Sequence, residues 1–162
     1  MKIISLFVSG LFSSIAFSQN NFHNQLKSLV KDSANCFTSF RTGFEDSKGT
    51  DSIFNSSVIL DGTTKSNLFV TEAVCVHISR IAEAVKKRQG RRIVDEWKSK
   101  ISAVFDNIFK LTAVKNSNSA NYGWNFEYGN LSMSVRLFHP DPQFADYLVD
   151  LFIFYHKHPV LQ

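Results

Sequence analysis

The run YGWNFEYGNLSMSVRLF, residues 122–138, constrains the fold more tightly than any other part of the chain. Gly129-Asn130 separates two stretches in which apolar and polar residues alternate. That is the pattern of a two-residue β-hairpin with glycine at the first turn position. The turn sets the register: Tyr128 faces Leu131, Phe126 faces Met133, Trp124 faces Val135 and Tyr122 faces Leu137. All four pairs are apolar. Glu127 with Ser132, Asn125 with Ser134 and Gly123 with Arg136 fall on the other face. A slip of one residue would bury the polar set, so turn chemistry and hydrophobic pattern demand one register.

A chain built around this hairpin needs more strands and a cover for the apolar face. YLVDLFIFYH, residues 147–156, is a further strand with Tyr147, Val149, Leu151, Ile153 and Tyr155 on its core side. Phe54, Val58 and Leu60 alternate with polar positions as another strand before Asp61-Gly62. The run LFVTEAVCVHI, residues 68–78, has the β-branched content of a strand. Val70, Val74, Ile78, Ile81 and Val85 also fit a helical period; separately, the helix expected from about Gly90 has the alternative of one long helix from Ser79 with Gly90 in its middle.

Two stretches read as amphipathic helices. Phe22, Leu26, Leu29, Val30, Phe37 and Phe40 form one stripe, with Asn20 or Asn21 as cap and Gly43 past the end. Ile93, Trp97, Ile101, Val104, Phe105 and Ile108 form a second, from about Gly90 to Lys110. EDSKGTDS, residues 45–52, and KNSNSAN, residues 115–121, read as loops. The expected fold is α+β: an antiparallel sheet of about five strands with two helices on one face, in the order α-β-β-α-β-β-β. No internal repeat is visible.

The chain opens MKIISLFVSGLFSSIAFSQN, with Lys2, an apolar stretch from Ile3 to Ile15, and Ala16-Phe17-Ser18 placing small residues at −3 and −1. This is the layout of a secretory signal peptide over residues 1–18, cut before Gln19. Removing 18 of the 162 residues leaves 144, enough for one domain over residues 19–162. No later stretch has the length and apolarity of a transmembrane helix. The expected location is therefore exported, periplasmic or secreted. Cys36 and Cys75 remain in the mature chain, where an oxidising compartment permits a disulfide. A bond needs Cα atoms within about 7 Å; two separate buried thiols are the alternative.

The opening SQNNFHNQLKSLVKDSANCFTSFRTG and the expected element order resemble small uncharacterised exported α+β proteins of Bacteroidota-type bacteria. The resemblance implies export and brings no active-site motif with it.

Lys86, Lys87, Arg88, Arg91 and Arg92 concentrate five of the 18 Lys and Arg. The run falls at the start of the second helix, where cations oppose the macrodipole. Its nearest aromatic, Trp97, lies on the buried stripe, so the interleaved basic-aromatic pattern of a nucleic-acid surface is missing. It reads as a solvated helix start, with contact to a polyanion or anionic lipid as the alternative. His156 and His158 share a strand face, and Asp141 or Asp146 could join them, but H-x-H falls short of a zinc ligand set. No metal or cofactor is expected. Glu72 on an apolar strand face is the one general acid-base candidate. There is no phosphate-cradling glycine loop, G-x-S-x-G, H-E-x-x-H or C-x-x-C.

Leu148, Phe152 and Phe154 point away from the core of the last strand. They make an apolar strip on the face where the hairpin presents Asn125, Glu127 and Ser134, unless a loop or the C-terminal tail covers them. The sequence thus points to a non-enzymatic binding or interaction module using an open sheet face. Its partner would be another protein, an envelope component or a second copy. The competing expectation is a small hydrolase or ligand-binding enzyme with Glu72 and His77 in a pocket between helix 2 and the sheet.

Overall fold

The computed structural model describes residues 21–48, 51–106, 108–114, 122–140 and 146–157. The signal-peptide reading of residues 1–18 and the loop at 115–121 lie outside them, as do Asp141 and His158. Among the described residues eight strands form one sheet: β1 (Arg41–Lys48), β2 (Asp51–Ser56), β3 (Lys65–Val70), β4 (Val74–Val85), β5 (Lys110–Val114), β6 (Tyr122–Tyr128), β7 (Leu131–Phe138) and β8 (Tyr147–His156). Helix α1 spans 21–32 and α2 spans Lys87–Phe105. The spatial order is β1-β2-β3-β4-β8-β7-β6-β5, with every neighbouring pair antiparallel. Two four-strand meanders, each preceded by a helix, therefore join where β4 pairs with β8. The two halves share connectivity without a legible sequence repeat.

This corrects the expectation of about five strands and its element order. β1 falls largely on the expected loop at 45–52, and β5 begins at Lys110, the expected end of the second helix. They are the sheet's two edges, so their side chains are largely wet and neither shows clean alternation. Residues 68–78 are strand, yet they belong to two strands. The Thr71 hydroxyl accepts hydrogen bonds from the Ala73 and Val74 N–H groups, at 3.2 and 3.0 Å, and folds the run into a β3-β4 turn. Val70 consequently faces Cys75 and Leu68 faces His77. β2 ends at Ser56, short of the expected Leu60.

The first helix also stops early. After residue 32 the chain passes through two short 3₁₀ turns, Ser33–Asn35 and Thr38–Phe40, separated by Cys36 and Phe37 at φ +53° and +57°. Asp32 stabilises this exit, accepting from the Ser39 N–H and hydroxyl, both at 3.1 Å. Phe37 is fully buried, so its place in the helical stripe was an accident of spacing. Gly43 lies inside β1, beside a register shift, rather than capping a helix.

The hairpin has the register demanded by its sequence, from Tyr128 against Leu131 to Tyr122 against Leu137. Gly129 supplies a φ of +54° that a side chain would oppose. β8 likewise runs over Tyr147–His156 with Val149, Leu151 and Ile153 fully buried. Helix α2 begins at Lys87 and lays Val94, Trp97, Ile101 and Val104 on the sheet. Ile108 lies past its end and is exposed. At Gly90 the helix packs tightly on β7: a Cβ there would stand 2.3 Å from Leu137 Cδ1. Phe22, Leu26 and Leu29 of α1 enter the same core, and Phe22 meets Trp97 edge-on at 5.3 Å between ring centroids. Both helices therefore cover one face of the sheet.

Candidate functional site on the open sheet face

Register carries the second face across the strands. Lys65, Arg80, Asp150 and Arg136 are paired neighbours in one row. Asn67, Ile78, Phe152 and Ser134 form the next, and Phe69, Val76, Phe154 and Ser132 the third. Phe152 and Phe154 stack at 5.8 Å with planes 12° apart, and His156 continues the stack at 6.4 Å. Phe138 abuts Phe152 at 6.3 Å, while Leu148 pairs with Phe138. The result is a ridge of half-buried rings along the central strand β8. A groove of about 520 Å³ lies on its β2-β4 side, lined in part by Ile53, Phe69, Ile78 and Phe152. One of about 260 Å³ lies on its β6-β7 side, with Asn125, Glu127, Ser134 and Arg136 in its walls.

At one end of the ridge Asp150 is 2% exposed. Arg80 closes over it, its Nε and Nη2 donating to the two carboxylate oxygens, while Nη1 donates to Glu83 at 2.9 Å. Burial raises the Asp150 pKa, and the Arg80 hydrogen bonds and charge pull against that rise. Arg136 Nε donates to Ser134 Oγ at 2.6 Å, and Ser134 donates to Asn125 at 2.8 Å. This arrangement offers apolar rings beside fixed charges; Ser132, Glu127 and His156 share the smaller groove. Arg80, Glu83 and Asp150 went unremarked in the sequence. The signal was there for one of them: a carboxylate at Asp150, flanked by Leu148 and Phe152 on the same face, requires a cation across a strand.

The other sequence candidates disperse. Lys86 forms an ion pair with Asp146 at 2.5 Å, Arg92 with Glu96 at 3.5 Å, and Arg91 lies over the Tyr122 ring at 5.2 Å. Lys87 is half-buried and Arg88 exposed. Asp146 and His156 stand at opposite ends of β8, roughly 30 Å apart at strand rise, so they cannot share an ion. Among the described residues no group of three or more His, Cys, Asp or Glu could hold a metal. None of the described helices is long and apolar enough to cross a membrane.

Glu72 is exposed in the β3-β4 turn and His77 is fully buried, so the two do not form a catalytic pair. His77 is held by Ser56 Oγ at 3.1 Å and Ser79 Oγ at 3.4 Å, and Ser79 meets Ser66 at 3.1 Å. Burial lowers its pKa to about 4, against a hydrogen bond with the Val58 backbone that raises it. The cavity between α2 and the sheet at Ile101, Phe105 and Phe126 measures about 20 Å³, far below the ~300 Å³ of a ligand pocket.

Cys36 and Cys75 are joined in a disulfide, with Cα atoms 5.2 Å apart. The left-handed Cys36-Phe37 pair turns the chain off α1 and down onto β4, making the close approach that helix-on-sheet packing alone rarely gives. Phe37 fills the space beneath, its ring 5.8 Å from that of His77. No family model, curated protein or solved structure matches the chain.

Proposed function

We propose that the protein is an exported, non-enzymatic interaction module that binds through the open face of its sheet. The observation that carries this reading is the stacked Phe152-Phe154 ridge on the central strand, on the face opposite both helices. A central strand surrounded by solvent on one side usually alternates apolar with polar; β8 is apolar at Leu148, Phe152 and Phe154 on that side. The flanking grooves give a partner's side chains somewhere to enter. The signal-peptide pattern supports export, and the Cys36-Cys75 bond is compatible with an oxidising compartment.

Site-specific photo-crosslinking tests the reading. A photoreactive residue at Phe152 should give a discrete adduct in the exported fraction, while one at Ala103, exposed on α2, should not. Equal or absent crosslinking from the two positions would overturn it.

A further inference from the structure

We infer that the occupant of the open face is a second copy of this chain, an inference that rests on the interaction-module reading. Electrostatics is the first argument. The whole chain carries a formal charge of +4, which disfavours self-association over most of its surface. The two grooves are lined by Lys65, Arg80 and Arg136 against Glu45, Glu83, Glu127 and Asp150. With histidine neutral that is a net charge of −1, so two copies meet here with little repulsion.

Shape is the second. Two sheets packed face to face keep their strands within about 30° of each other. The large groove runs over β3 and β4, with Phe152 of the ridge as one wall. An in-plane two-fold axis running along β4 places β8 of each copy over β3 of the other. Phe154 then stands opposite Phe69, and the ridge of each copy enters the large groove of its mate. Under the same operation Lys65, which is exposed, stands over the mate's Arg80-Glu83-Asp150 cluster. That cluster carries one cation and two carboxylates, a net charge of −1. The contact is isologous, so every off-axis pairing occurs twice, while Val76, Ile78 and Arg80 of β4 each face their own copy across the axis.

Area is the third. Seven strands overlap under this operation, each about 4.8 Å wide. The three rows span about five residues of strand, some 17 Å at roughly 3.3 Å each. The two copies together bury roughly 1,100 Å², just above the ~1,000 Å² expected of a specific contact. A reversible dimer of modest affinity follows.

Sedimentation velocity on the purified protein, from about 1 to 200 µM, tests this. The wild type should shift from monomer to dimer within that range. Lys65→Glu lies on an exposed side chain and leaves the fold alone; it should raise the dimer dissociation constant about tenfold, since two surface pairs become repulsive. Adding Glu83→Lys reverses both partners and should restore most of the loss. Phe152→Ala with Phe154→Ala should leave only monomer. A wild type that stays monomeric at 200 µM overturns the inference, as does a Lys65→Glu protein that dimerises unchanged. Crosslinking from position 152 to a different protein, with no dimer, would remove the second copy as partner and leave the module reading standing.

Discussion

Replacing both cysteines, Cys36→Ala with Cys75→Ala, should cost this fold a large share of its stability. The bond closes a loop with a sequence separation of 39. In the chain-entropy description, opening a loop of that length returns roughly 13 cal/mol/K to the unfolded chain, or about 4 kcal/mol at 25 °C. A small domain has only about 5–15 kcal/mol in total. The loss should concentrate where the cross-link acts. Residues 33–40 hold two non-glycine residues at positive φ, Cys36 and Phe37, each costing about 1–2 kcal/mol relative to an ordinary backbone. Phe37 is fully buried, so relaxing that turn would withdraw a ring from the core. Urea denaturation measures the effect directly. With a slope of about 2 kcal/mol/M for a domain near this size, the midpoint should fall by about 2 M, and the slope should rise as the unfolded state expands. A midpoint shift below about 0.5 M would refute the reasoning, because the turn would then be held by packing alone.

Other perturbations have equally definite expectations. His77 is buried neutral with its pKa lowered from 6.5 to about 4, so below pH 6.5 the unfolded chain takes up a proton that the folded one refuses. Stability should fall by about 3 kcal/mol as pH drops from 6.5 to 4, and a pH series of urea midpoints should lose that component in His77→Asn. Gly90→Val should lower the thermal midpoint through overpacking of about 1–3 kcal/mol, since a Cβ meets Leu137 at 2.3 Å. Gly129→Val should cost about 1–2 kcal/mol in the same assay, because the hairpin needs φ +54° there, although nothing lies within 4 Å to clash.

What the sequence showed and what it hid divide along one physical line. The β6-β7 hairpin and β8 were legible to the residue because each has one face in the core and short-range turn chemistry, or a long alternating run, to set its phase. Helix α2 was legible from Trp97, Ile101 and Val104, which the sheet buries. The edge strands β1 and β5 were not, because an edge needs no apolar alternation. Helix α1 was overextended because Phe37 and Phe40 happen to fall in step with Phe22 and Leu26, although the chain leaves the helix at 32. The β3-β4 turn was hidden in an apolar run, since Thr71 makes it with one hydroxyl and no glycine or proline. That error carried into the site. With 68–78 taken as one strand, Glu72 was put on an apolar face, whereas it sits in the β3-β4 turn. The ridge residues Phe152 and Phe154 were found because β8 was read correctly; Arg80 and Phe69 were missed because β3 and β4 were not.

Binding through the sheet face requires Phe152 and Phe154 to line a surface rather than a core, and the urea stability of the Phe152→Ala, Phe154→Ala double variant tests this most directly. Both rings are only partly exposed and keep most of their burial energy, so the pair should cost about 2–5 kcal/mol and leave a cooperative transition. A core phenylalanine costs about 3–5 kcal/mol each on truncation, so a loss of about 6–10 kcal/mol, or a protein that no longer folds, would contradict the open-face account.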